Sequence, residues 1–271
     1  MASDGDLAAT SEDFGPASQA VEALARRDRL VTAAALTLIT LLAWAYLLAG
    51  AGMDMDMGDM DMNMVMPMDW TAGYALIMFL MWWNMMIAMM LPSAAPMILL
   101  FALVNRRSRS RGASYVPTAV FASGYLVAWG GFSLAATVLQ WWLEQSGWLT
   151  MAMASANPWL GGVLLIAAGI YQLTPLKHAC LRHCRGPVEF ITRHWRPGPK
   201  GALRMGLEHG AFCVGCCWVV MGLLFYGGVM NLYWIVGLAA LVLLEKVLPR
   251  GHGFGALSGL GFLLWGLIAL I

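Results

Sequence analysis

Apolar residues gather into seven windows along the chain, at about residues 30–50, 74–103, 116–143, 158–177, 205–226, 231–248 and 253–271, with most polar and charged residues left to the gaps. About 20 apolar residues carry a helix across roughly 30 Å of hydrocarbon. The pattern therefore predicts an all-α, polytopic transmembrane helix bundle of about seven spans, forming one integral membrane domain over 30–271. Composition agrees: 60% of the 271 residues are hydrophobic and only 11% are charged, which sets the chain apart from soluble globular domains.

Charge orients the bundle. The sixteen Lys and Arg fall into four groups: Arg26, Arg27 and Arg29; Arg106, Arg107, Arg109 and Arg111; Lys177 to Arg204; and Lys246 with Arg250. Seven spans put all four groups on one side, which the positive-inside rule makes cytoplasmic. The N-terminus is then expected in the cytoplasm and the C-terminus in the periplasm of a bacterial inner membrane. Residues 1–29, acidic and small-residue-rich over their first twenty, read as a disordered cytoplasmic tail. The loop over 51–69 and the one over 144–157 face outward and carry acidic but no basic residues.

That first outer loop changes the picture from topology to chemistry. Residues 53–68 read MDMDMGDMDMNMVMPM, with methionine at eight of sixteen positions, Met53, Met55, Met57, Met60, Met62, Met64, Met66 and Met68. Methionine normally fills cores, yet an acidic loop has no core to fill. Thioether sulfur is a soft ligand that selects Cu(I), and the interleaved carboxylates concentrate cations. The second window continues the theme: Met81, Met85 and Met89 recur at i, i+4 and i+8 and share one helix face, with Met78 extending the stripe. A packing role would account for that stripe alone. Pro92 and Pro96 deprive the carbonyls of Ala88 and Pro92 of their helical donors, so a kink or opening is expected near Leu91.

All five cysteines and five histidines fall in the half assigned to the cytoplasm. His209, Cys213 and Cys216, with Cys217, are spaced i, i+4, i+7 and i+8 on one helix face, and Cys180 and Cys184 are i and i+4 in LKHACLRHC. If the fourth and fifth spans pack as an antiparallel hairpin, the two clusters can meet. Thiolates and imidazoles bind Cu(I) or Zn(II), and Glu208 could act as counter-charge or proton acceptor. Cysteine is also a small hydrophobe, the simpler account of Cys217. His194 and His252 read as solvated loop residues.

The segments WWNMMIAMMLPSAAPMILLF, YQLTPLKHACLRHCRGP and GLEHGAFCVGCCWVVM together resemble a bacterial family of domain-of-unknown-function type, described as predicted metal-binding integral membrane proteins. The resemblance covers about residues 70–270. It implies a multi-spanning inner-membrane protein with a metal site and supplies Asn84, Met85, Met89, Pro92, Lys177, Cys180, Cys184, Glu208, His209, Cys213 and Cys217 as matching positions. It supplies no reaction.

Ligand chemistry then points to an inner-membrane copper-handling protein that binds Cu(I) for transport or for delivery to a cuproprotein. Zinc is the second candidate metal. The expected partners are the bilayer, the ion, and a metallochaperone or cuproprotein. Two rivals stand beside this reading: a thiol–disulfide electron-transfer protein using Cys213 and Cys216, and a structural subunit of a membrane complex. No Walker loop, dinucleotide fingerprint or nucleic-acid motif is present.

Overall fold

The computed structural model describes residues 16–50, 69–109, 116–248 and 251–271, and among them it is helical apart from short connections. Ten helices follow in order: α1 (Pro16–Leu48), α2 (Ala72–Arg109), α3 (Thr118–Gln145), α4 (Pro158–Gln172), α5 (Pro175–Arg185), α6 (Pro187–His194), α7 (Gly198–Gly222), α8 (Leu224–Gly227), α9 (Leu232–Val247) and α10 (Gly251–Leu270). The methionine loop, from Met53 to Met68, lies outside the described residues. Helix α1 begins at Pro16, inside the stretch read as a tail, and the run AVEALARR explains why, since Ala, Glu, Leu and Arg are strong helix formers.

Five of these helices are long and apolar enough to cross a membrane, and a sixth crossing results if α4 and α5, bent by 65° at their junction, count as one. Seven is not the number that helix length and hydropathy give. The window at 158–177 is cut short because Thr174 precedes Pro175, and a residue before proline is pushed out of the helical region; Thr174 has ψ 146° and caps α5 through Lys177 N–H to its Oγ1 at 3.3 Å. Helix α9 has 16 residues, bounded by Asn231, whose side chain caps the Trp234 N–H.

The prolines of α2 do not open it. The helix is continuous from Ala72 to Arg109, and the Ala88 carbonyl that Pro92 leaves without a donor accepts one from the Trp44 indole of α1 at 3.1 Å. Asn84, the polar residue within the methionine run, donates to the Ala43 carbonyl at 3.0 Å. Both bonds tie α1 to α2 and satisfy groups that lipid could not.

Small residues set the closest helix contacts. A Cβ added to Gly206 of α7 would lie 2.0 Å from the Phe121 carbonyl oxygen of α3, and one on Gly124 would lie 2.3 Å from the Leu203 carbonyl oxygen, so backbone touches backbone there. Gly169 of α4 and Gly259 of α10 repeat the arrangement, with 2.7 Å between a Cβ on the first and the carbonyl oxygen of the second.

A buried ion pair joins the C-terminal half. Lys177 of α5 and Glu245 of α9, each 1% exposed, are 2.7 Å apart. Gln172 Nε2 of α4 donates to the other Glu245 oxygen at 2.6 Å and to Ser258 Oγ of α10 at 2.8 Å. Breaking a buried pair by removing one partner strands a charge, at roughly 3–5 kcal/mol, whereas replacing both partners with apolar residues is often neutral. Lys177→Met should therefore lower the thermal unfolding midpoint in detergent sharply, and the double variant Lys177→Met/Glu245→Leu should recover most of the loss. Equal midpoints for Lys177→Met and the parent would show that the pair carries no stability.

Candidate metal centre

Helix α7 presents its sulfur face inward. His209, Cys213, Cys216 and Cys217 are all buried, at 2% exposure or less, as the i, i+4, i+7, i+8 spacing requires on a continuous helix. The glycine contacts that draw α7 onto α3 put Tyr125 beside this face: its hydroxyl is 3.2 Å from Cys213 Sγ and donates to the Met90 carbonyl of α2 at 3.1 Å. Ser93 Oγ donates to the same carbonyl at 2.8 Å.

Helix α5 closes the opposite side. Cys184 Sγ lies 3.9 Å from Cys216 Sγ, and Cys180 sits over Gly215, where a Cβ would come within 2.9 Å of its sulfur. The two cysteine clusters therefore meet, with α5, beyond the bend, supplying the second one. The Cys216 and Cys217 thiols each donate to the Cys213 carbonyl at 3.0 Å. All five cysteines are free thiols.

Lys246 completes the group. Its ammonium reaches from α9 to within 3.0 Å of Cys213 Sγ and 2.9 Å of Ser93 Oγ. A cationic donor against this sulfur supplies the counter-charge that a thiolate ligand in a buried place needs. Sequence reading assigned Lys246 to topology alone. The overlooked signal was its place next to Glu245 within an apolar run, since ionisable residues inside a membrane helix are functional candidates by default. Tyr125 and Ser93 gave no comparable signal; only the fold brings them here.

His209 is one turn below Cys213, its ring set among Phe190, Tyr125 and Phe121 at centroid distances of 5.3, 5.8 and 6.3 Å. Its Nδ1 is buried without a hydrogen-bond partner, an expensive state for a neutral polar atom and one that a ligand would relieve. Glu208 is turned elsewhere, into ion pairs with Arg196 at 3.0 Å and Arg204 at 3.1 Å. Met81, Met85 and Met89 are buried in the core, as are Met78, Met86 and Met90. His194 closes α6 rather than lying in a loop, stacked on Phe190 at 4.6 Å. Among the described residues, no group of three or more His, Cys, Asp or Glu side chains is placed to hold a metal ion; the Cys184 and Cys216 sulfurs are 3.9 Å apart.

A protein-family model described as copper chaperone matches residues 79–269, which is well over half of the chain. The chain belongs to the PpoB2 copper chaperone family. The match takes in the stripe Met81, Met85 and Met89, both cysteine clusters, His209 and Lys246. It bears out the metal-related part of the sequence resemblance and makes copper the metal to consider, while the membrane part rests on the apolar helices. No curated protein and no solved structure matches the chain.

The meeting of α5 and α7 can be checked directly. Cys184 and Cys216 need close by only about 2 Å to reach the S–S bond length of roughly 2.05 Å. Mild oxidation of the purified protein should link them. Peptide mapping after alkylation should find Cys184 joined to Cys216, and the product should vanish in Cys184→Ser. Full alkylation of both cysteines after oxidation would refute the contact.

Proposed function

We propose that this protein binds Cu(I) in the bacterial inner membrane and hands it to a cuproprotein partner. The observation that carries the reading is the convergence of Cys184, Cys213 and Cys216 beside Lys246 in a member of a copper chaperone family. Thiolates are the ligands that soft Cu(I) prefers. Two thiolates and one Cu(I) carry a net charge of −1, which the Lys246 ammonium cancels, so a two-thiolate complex is neutral as a whole. Zn(II) on the same two sulfurs would leave the group positive. Neutrality matters because charge is costly to hold in a low-dielectric interior.

In this reading residues 30–271 are the membrane domain and the 51–69 loop is its periplasmic collector, with Met53, Met55, Met57, Met60, Met62, Met64, Met66 and Met68 as weak thioether ligands. Copper passes the stripe of Met81, Met85 and Met89 and reaches Cys213, Cys216 and Cys184, with His209 and Cys180 flanking and Glu208 fixing the inner end through its arginine pairs. The basic clusters support an N-terminus in the cytoplasm and a C-terminus in the periplasm. Seven passes require α4 and α9 to cross as short helices; at 1.5 Å per residue the 16 residues of α9 give about 24 Å, short of the usual core. Local thinning of the bilayer accommodates such a mismatch at modest cost.

Metal analysis of variants purified under reducing, anaerobic conditions tests the centre. Cys213→Ser and Cys216→Ser should each lose most of the thiol-bound copper, Cys184→Ser should weaken it, and Cys217→Ser should matter least. Unchanged occupancy in the first two would end the assignment. A mixed disulfide trapped between Cys213 and a partner, with copper binding unaffected, would replace it by thiol–disulfide exchange.

The methionines separate the same two chemistries in cells, because thioethers bind Cu(I) but take no part in disulfide exchange. Met85→Leu/Met89→Leu should fold normally, since Met to Leu swaps cost less than about 1.5 kcal/mol each. It should nevertheless fail to activate a copper-dependent enzyme at limiting copper. Full activation would make the stripe packing alone.

A further inference from the structure

A second group of soft and acidic side chains closes at the other end of the bundle, from three different elements. Met78 stands near the start of α2, Gln140 and Glu144 lie one turn apart near the end of α3, and Met153 lies in the connection between α3 and α4. Gln140 Nε2 is 3.4 Å from Met78 Sδ, 3.3 Å from Met153 Sδ and 2.7 Å from Glu144 Oε1. The orientation of the amide is fixed from behind, because its Oε1 accepts from the Trp82 indole at 2.7 Å. The second Glu144 oxygen accepts from the Trp70 indole at 2.8 Å.

An amide nitrogen has two hydrogens, so three acceptors around it are one more than it can satisfy. All four side chains are buried: Gln140 and Met78 wholly, Met153 and Glu144 to 6% and 9% exposure. Two thioethers and a carboxylate drawn around a weakly positive donor make a cation site with a placeholder in it. Met153 is held there at a conformational cost. Its φ of +54° is the one positive value among the described non-glycine residues, in a region that L side chains seldom adopt. The turn is secured by the Leu149–Ser155 bridge and by the Met153 N–H bond to the Thr150 carbonyl at 2.8 Å. Strain of this kind concentrates at functional sites.

We propose that Met78, Met153 and Glu144 form a Cu(I) waystation at the outer end of the bundle, an inference that rests on the copper reading above. The chain enters this site directly from the methionine loop, since Trp70 follows Met68 by two residues. Met78 precedes Met90 by twelve residues, about 18 Å along α2, and Met81, Met85 and Met89 lie between. Binding is ligand exchange without redox change. The Gln140 amide turns about its Oε1 bond to the Trp82 indole, its nitrogen withdraws from the two sulfurs and the carboxylate, and these three atoms close on the ion as it leaves its carrier. With metal–sulfur bonds of roughly 2.3 Å, each thioether moves inward by about 1 Å. One carboxylate and one Cu(I) sum to zero charge, so the occupied site is neutral without a counter-ion, whereas a divalent ion would not be.

The test uses the full chain, purified in detergent, in a background of Cys184→Ser/Cys213→Ser/Cys216→Ser that removes the thiol centre. Cu(I) is titrated anaerobically against a chromophoric chelator. Adding Met78→Leu/Met153→Leu should remove one bound Cu(I) per chain, and adding Glu144→Gln instead should weaken that same equivalent at least tenfold. Met153→Leu alone, the mildest change, should weaken it likewise and guards against a double variant that does not fold. Stoichiometry and affinity equal to the background in Met153→Leu and Glu144→Gln would overturn the proposal and leave a packing network. The thiol substitutions are read against the parent and the outer ones against the thiol-free background, so either site can fail without the other.

Discussion

The buried ion pair between Lys177 and Glu245 is the constraint on which the inner half of the molecule depends. Unpaired charges are very costly in an apolar interior, so each residue fixes the other, and with them the helices that carry them. Lys177 holds α5 beyond its bend, so that Cys180 and Cys184 lie over α7. Glu245 sets the rotation of α9, and the residue after it, Lys246, then reaches Cys213. Gln172 extends the same bond network into α4 and α10. One pair therefore determines where both the thiols and their counter-charge sit, although neither member touches sulfur.

Around that fixed point the sulfur chemistry is graded along the bundle. Thioethers crowd residues 53–68 of the sequence and the core of α2, and thiols gather where α5 meets α7. Thioethers are neutral, weaker ligands that form no disulfides, while thiolates bind soft ions tightly and stay free only in reducing surroundings. In the proposed copper route the gradient is one of ligand strength, since a chain of weak sites leading to a stronger one lets an ion move by exchange instead of remaining at the first stop.

Much of this was legible in the sequence, and the failures have identifiable causes. The spacing of His209, Cys213 and Cys216 was enough to place them on one buried face, because α7 is an unbroken helix and 3.6-residue periodicity carries over directly. The all-helical class followed from apolar windows alone. The apolar windows do not register that Thr174 before Pro175 turns the chain by 65°, nor that α9 is only 16 residues long, so helix length and hydropathy give five or six crossings where the windows give seven. The prolines of α2 leave the helix continuous, and the Ala88 carbonyl that Pro92 orphans finds its donor in Trp44, more than forty residues away, a partner that no local pattern names. Tyr125 belongs to the centre through tertiary contact only; Lys246 stands out locally beside Glu245 in an apolar run, but no local pattern encodes which helix its side chain reaches.

The backbone contact between α3 and α7 has a mechanical meaning. With Gly206 and Gly124 leaving no side-chain layer between the two helices, there is nothing soft to compress, and they behave as a single stiff strut. Tyr125 and Cys213 ride on that strut, so the spacing of hydroxyl and sulfur is inherited from main-chain geometry. The opposite wall is different in kind. Helix α5 faces α7 through cysteine side chains instead of bare backbone, and its place is held by the Lys177–Glu245 pair. One wall of the thiol centre is thus an anvil set by main chain, and the other is a clamp whose grip depends on a single buried ion pair.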